Sequence, residues 1–128
     1  AKQNKMTYVL LKNRAGRMVA PNARAFQAAA ANADWAKTEG YYLILTDQPG
    51  AESWPITGAS FILIHRDPKD PAAVRAALDF FDWAYHDGAG LAAQLDYVAI
   101  PANVVKLVES SWQASIRAQG KPVWTPKR

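Results

Sequence analysis

The segment that follows Asp70-Pro71 constrains the fold of this chain most strongly, because a helix start there precedes a long apolar stripe. Asp70 can cap the first turn, and Pro71 suits the first helical position, where its missing N–H has no partner to lose. Apolar side chains then recur at helical spacing, at Val74, Leu78, Phe81 and Tyr85. The pattern predicts a helix that ends near Gly88 and buries Phe81, so that Phe81→Ala would cost about 3–5 kcal/mol.

Short apolar runs elsewhere in the chain predict strands. They are Tyr8–Leu11 with Met18-Val19, Tyr41–Leu45, and Phe61–His65. The first pair predicts a hairpin with Gly16 at its turn. The uninterrupted run from Phe61 to Ile64 predicts a strand buried on both faces, against which the apolar stripe of the helix would pack.

Further helices are predicted on both sides of that segment. Asn22 is a suitable N-cap for an alanine-rich helix over Arg24–Ala33, and a shorter helical segment is predicted from Ala89 to Leu95. Pro101 begins a last helix whose buried face would be Val104, Val105, Val108, Trp112 and Ile116. The elements together predict a mixed α/β fold with few strands and therefore a thin sheet.

The composition excludes several classes of protein. The chain has 128 residues, half of them hydrophobic, which is typical of a globular domain with its own core. It contains no cysteine, so disulfide frameworks and thiolate zinc sites are excluded. No apolar run approaches the roughly 20 residues that a membrane-spanning helix needs.

The formal net charge of +4 is unevenly distributed, because six basic residues precede Asp34, the first acidic residue. An anion-binding or nucleic-acid-binding face is one interpretation, and a solvated surface is the other. No nucleic-acid partner is expected, because no aromatic residues alternate with these cations. The predicted helix start at Asn22, flanked by Arg17 and Arg24, is the candidate for weak anion binding.

Motifs for catalysis or cofactor binding are weak in this sequence. Residues 88–93 match the G-x-G-x-x-G/A dinucleotide pattern, but that pattern needs a preceding strand, and a helix is predicted there. Asp67 lies near His65, and Asp82 and Asp87 lie near His86, so a two-histidine metal site is an alternative to a structural role. The histidines lack a metal-binding motif, and no nucleophile is paired with a base. We therefore predict no catalytic residue, no metal site and no cofactor.

Five motifs, in order along the chain, carry a resemblance to a known family. They are N-A-D-W-A-K-T at 32–38; W-P-I-T at 54–57 with F-I-L-I-H at 61–65; F-F-D-W-A-Y at 80–85 with Gly88-Ala89; L-D-Y at 95–97 with Pro101 and Val104-Val105; and G-K-P at 120–122. Together these motifs span nearly the whole chain. The sequence thereby resembles the PstS-type periplasmic phosphate-binding receptors of phosphate ABC transporters.

The resemblance implies a partial periplasmic-binding-protein fold of type II-like architecture, the C-terminal part of a two-lobed α/β receptor. Residues 1–54 would be a remnant of the second lobe, residues 55–60 a hinge crossing, and residues 61–128 the C-terminal part of the first lobe. The implied function is the substrate-binding receptor of a high-affinity phosphate importer in the periplasm, not an enzyme. Its implied partners are inorganic phosphate, the ABC permease and the N-terminal part of the same protein.

The resemblance carries no phosphate ligand onto this chain, because the family's R-x-x-x-S-G-T motif and its early serine, threonine and aspartate ligands match nothing here. A portion of a two-lobed receptor lacks some of its sheet neighbours, so a dimer or swapped oligomer is expected, with residues 55–60 as the hinge. The alternative function is a small self-associating interaction domain derived from the same fold, without a role in uptake.

Overall fold

The computed structural model describes residues 4–126, and helices dominate it. The helices are α1 (Ala23–Ala31), α2 (Pro71–His86), α3 (Ala89–Gln94) and α4 (Ala102–Ser115), with 3₁₀ turns at Trp35–Lys37 and Glu39–Tyr41. The strands are β1 (Leu11–Lys12), β2 (Met18–Val19), β3 (Arg117–Ala118) and β4 (Lys121–Pro122). Within the described residues, no helix has the length and apolarity needed to cross a membrane.

The strands form two separate antiparallel hairpins. In the first, Leu11 lies opposite Val19, and Gly16 adopts a φ of 76° in the connecting turn. This confirms the predicted hairpin and its turn glycine. The second hairpin pairs β3 with β4 through a tight turn at Gln119 and Gly120, both with positive φ. A turn of this kind twists its two strands as a hairpin requires.

Two of the predicted strands are wrong. Tyr41 ends a 3₁₀ turn, and residues 61–65 have no regular secondary structure. The region expected to be buried on both faces is open, since Leu63 is 94% exposed. Only a single bridge, between Thr46 and Ile56, forms nearby in the described chain. A strand needs a neighbouring chain to satisfy its N–H and C=O groups, and apolar composition alone does not provide one.

The predicted helix starts are confirmed. The Asn22 side chain accepts a hydrogen bond from the Ala25 N–H at 3.0 Å, and Asp70 does the same for the Ala73 N–H at 3.0 Å. Pro71 occupies the first turn of α2 as expected. These caps work through groups within three residues of each other, which is why the sequence alone predicts them.

The glycine motif at residues 88–93 connects two helices. It follows α2 and runs into α3, so the strand that a dinucleotide fingerprint requires is not there. A Cβ atom on Gly88 would lie 2.8 Å from the carbonyl oxygen of Ala84, which explains why glycine suits this position. The interpretation as a break between helices is confirmed.

The first core cluster joins α1 to α4. Its buried members are Ala30, Ala33, Trp35, Leu45 and Val104. Alanine side chains on α1 allow a close approach of α4, and the Trp35 indole N–H donates to the Ala30 carbonyl at 2.7 Å. Residues of both predicted parts, 1–54 and 61–128, therefore share one core in this chain.

The second core cluster lies between α2 and the C-terminal hairpin. Its buried members are Leu78, Ile116, Val123 and Trp124, with Ile64, Val74 and Trp112 packed against them. Leu78 is fully buried, whereas Phe81 is only half-buried and contacts the Phe80 ring. The sequence thus predicted the helix correctly. It placed the most buried residue at Phe81, whereas the structure buries Leu78, one turn earlier.

Asn13 fastens the first hairpin to the turn over residues 50–53. Its buried side-chain nitrogen donates to the carbonyl oxygens of Gly50, Ala51 and Ser53 at 3.2, 3.0 and 3.1 Å. Its side-chain oxygen accepts from the Arg17 N–H at 3.0 Å. One polar side chain therefore satisfies groups from two segments that are far apart in sequence.

Asn13→Ala is expected to lower the free energy of unfolding by roughly 1–3 kcal/mol, because it removes the buried donor of the Ser53 carbonyl and two further bonds, to the Gly50 and Ala51 carbonyls. Urea unfolding followed by circular dichroism measures the change. Asn103→Ala is the matched control, since that exposed side chain donates a hydrogen bond to the Ala31 carbonyl at the surface. The control should change stability by less than about 1 kcal/mol. Equal effects of the two substitutions would contradict the role assigned to Asn13.

Candidate functional site

The start of α1 holds the three residues predicted as weak anion candidates. Asn22 uses its side-chain oxygen to cap the Ala25 N–H. Arg24 forms a two-point ion pair with Glu52, with Nη2–Oε1 at 2.7 Å and Nε–Oε2 at 3.0 Å. Arg17 lies exposed on the first hairpin. An anion at this helix start would compete with the Glu52 carboxylate for Arg24. Arg24 and Glu52 are 28 residues apart, so no local sequence pattern predicts their ion pair.

The residue before the predicted crossing at residues 55–60, Trp54, is held by packing and a hydrogen bond. Trp54 is buried, and its backbone N–H donates to the Ala25 carbonyl at 3.0 Å. Its ring packs edge-on against Phe26, with the ring centroids 6.2 Å apart. The hydroxyl of Thr57 donates to the Trp54 carbonyl at 3.1 Å. Ser60, the other hydroxyl of this segment, is exposed. The Thr57 hydroxyl is thus bonded within its own turn, and the two hydroxyls do not form a shared binding site among the described residues.

A cavity of about 440 Å³ lies between the segment after the crossing and α4. Apolar and aromatic side chains make up most of its lining, including Trp35, Phe61, Ile64, Tyr85, Val108 and Trp112. Arg66, which also lines the cavity, pairs with Glu39 at 3.5 Å. Such a lining suits apolar side chains, and it offers few donors for a strongly hydrated dianion.

The two segments wrongly predicted as strands expose apolar side chains. We call residues 42–44 and 61–63 the exposed apolar segments, and their most exposed members are Tyr42, Ile44, Phe61, Ile62 and Leu63. The rings of Tyr42 and Phe61 lie 6.5 Å apart, so the segments meet at that point. Contiguous exposed apolar surface marks a place where another chain or segment packs.

A polar cluster joins α2 to α4. His86 Nε2 lies 2.8 Å from Glu109 Oε1 and 3.8 Å from Asp82 Oδ1. Burial, together with the nearby Glu109 carboxylate, raises the pKa of the adjacent Tyr85 phenol. The sequence placed both Asp82 and Asp87 near His86, and Asp87 lies outside this group of three. It gave no sign of Glu109, which lies 23 residues from His86 and belongs to another helix. His65, the other histidine, is exposed and lies outside this cluster.

Three curated proteins similar to this chain share one name. No family model matches the chain. The phosphate-binding protein PstS of Pasteurella multocida is 43% identical over 125 residues, 97% of this chain and 36% of the relative. The proteins of that name from Xylella fastidiosa and Haemophilus influenzae are each 44% identical over 117 residues, 91% of this chain and 32% and 35% of the relatives. The chain thus spans about a third of the length of these relatives.

These names agree with the prediction of a chain without catalysis, since they describe binding proteins and not enzymes. They give no support to the alternative of a self-associating interaction domain. The resemblance carried by the five motifs is confirmed, because nearly the whole chain is similar in sequence to about a third of a phosphate-binding protein PstS, consistent with its C-terminal portion.

Proposed function

We propose that this chain is a C-terminal portion of the substrate-binding receptor of a high-affinity phosphate importer, acting in the periplasm with an ABC permease. The observation that carries the proposal is 43% identity to a phosphate-binding protein over 97% of the chain. Shared sequence at this level over so much of the chain supports a shared role. The proposed partners are inorganic phosphate, the permease and the N-terminal part of the same protein.

The proposed portion lacks the phosphate shell. Micromolar affinity corresponds to about 8 kcal/mol of binding free energy. Charge-assisted hydrogen bonds contribute about 1.5–3 kcal/mol each after desolvation, so several must converge on one ion. At the start of α1, Glu52 already pairs with Arg24, and the Thr57 hydroxyl is bonded within its own turn. We expect phosphate to bind this chain alone at millimolar affinity or weaker.

The two-lobe division is part of the proposal. Residues 1–54 would belong to the second lobe, residues 55–60 to the crossing, and residues 61–128 to the first lobe. The exposed apolar segments lie on either side of the crossing and have strand-forming composition without strand partners. In the whole receptor, strands from the rest of the protein would supply those partners and cover the apolar surface.

A chimeric receptor tests the proposal. This chain would replace the matched segment of the Pasteurella multocida protein, and isothermal titration calorimetry would follow phosphate binding. We expect micromolar or tighter binding by the chimera and none at that level by this chain alone. The physical reason is that the shell is formed by the part of the receptor that this chain does not match.

Leu63→Asp in the chimera is the matched control, because Leu63 is 94% exposed in the isolated chain but would be buried in the receptor. The substitution should leave the isolated chain folded. In the chimera it should cause unfolding or lower the affinity for phosphate. A folded chimera without phosphate binding would contradict the receptor role. Saturable micromolar binding by the isolated chain would contradict the proposed absence of the shell.

A further inference from the structure

Two helices bring a histidine and two carboxylates to one point. Asp82 and His86 are four residues apart on α2, so they share one face of the helix, one turn apart. Glu109 reaches this face from α4. One ligand atom from each of the three side chains lies within 4.8 Å of the other two.

The charges of this cluster do not balance. The side chains of Asp82 and Glu109 are only 11% and 16% exposed, and their recorded ion pairs both go to His86. A carboxylate that is mostly withdrawn from water needs a compensating charge. One imidazole supplies at most a single positive charge, so it leaves at least one of the two carboxylates uncompensated. A divalent cation would compensate both.

The distances suit direct coordination. At bond lengths of about 2.1 Å, neighbouring donors of a tetrahedral or octahedral ion lie about 3.0–3.4 Å apart. The histidine nitrogen stands 2.8 Å and 3.8 Å from the two carboxylate oxygens, on either side of that range. All three donor atoms lie within 4.8 Å of one another, so binding one ion requires side-chain rotations but no movement of the helices beyond that span.

We propose that Asp82, His86 and Glu109 bind one divalent transition-metal ion, with Zn²⁺ as the best-suited probe. One imidazole with two carboxylates is a donor set of intermediate hardness, which favours Zn²⁺ and its first-row neighbours over Ca²⁺. Binding replaces the His86–Glu109 hydrogen bond and requires His86 to be neutral with its proton on Nδ1. The ion would tie α2 to α4, and this inference does not depend on phosphate binding.

Calorimetric titration of the untagged 128-residue chain with ZnCl₂ tests the site. We expect one ion per chain with micromolar affinity. His86→Ala and Glu109→Gln should each weaken binding at least about tenfold, since even residues that only support a metal ligand change affinity by 10–100-fold. His65→Ala, which removes the other histidine, is the matched control and should bind as the unaltered chain does.

Thermal unfolding gives a second measurement. Zn²⁺ should raise the unfolding temperature of the unaltered chain and of His65→Ala, because an ion that binds only the folded state stabilises it. It should not raise that of Glu109→Gln, a variant of nearly unchanged shape that keeps the test valid if His86→Ala does not fold. Absence of micromolar Zn²⁺ binding, or equal losses in the His65 and His86 variants, would overturn the proposal.

Discussion

Leu78→Ala is expected to lower the free energy of unfolding by about 2–5 kcal/mol. Leu78 is fully buried in the second core cluster, where it packs with Ile116, Val123 and Trp124. Truncation removes the transfer free energy of the lost methyl groups and leaves a cavity within the cluster, which the surrounding side chains fill only in part. Because small domains are stable by only about 5–15 kcal/mol, the loss is a large part of the total.

Leu95→Ala is the matched control for that substitution, because it removes the same atoms from a side chain that is 66% exposed and lies outside the exposed apolar segments. We expect it to change stability by less than about 0.5 kcal/mol. Urea unfolding of both variants, followed by tryptophan fluorescence and circular dichroism, measures the difference. Equal effects of the two substitutions would show that Leu78 is not a buried member of the second core cluster.

The isolated chain is expected to form dimers or larger species at micromolar concentration. The exposed apolar segments present side chains such as Tyr42, Ile44 and Leu63 to water, next to backbone that forms no strand ladder. Packing of these segments against a second copy would bury apolar surface and pair the open backbone groups. Exchange of elements about residues 55–60 is a low-cost way to achieve it.

Light scattering coupled to size-exclusion chromatography measures the association. Leu63→Asp should shift the chain toward the monomer, because a charge would then be buried at the contact. Arg14→Asp places the same charge on the exposed turn of the first hairpin and serves as the control, with no expected effect. A compact monomer of the unaltered chain throughout the micromolar range contradicts the prediction.

Local signals in the sequence predicted the helices well. Asn22, Asp70 and Pro71 act within one turn of the groups that they serve, so the caps and helix starts follow from neighbouring residues. Gly16 and Gly88 mark a turn and a helix break for equally local reasons. The five ordered motifs and the sequence similarity to known proteins also point to the same family. Both depend only on the order of residues along the chain.

Contacts between distant segments were decided by the tertiary structure. Glu52 at Arg24 and Glu109 at His86 are pairings across 28 and 23 residues, which no spacing rule predicts. The run Phe61–Ile64 has the composition of a buried strand, yet it remains open because the described chain provides no partner for its backbone. By itself, the sequence determined where helices begin and end and which residues are apolar. Which apolar residues become core depends on the segments that fold against them, because burial and strand pairing are properties of two surfaces in contact.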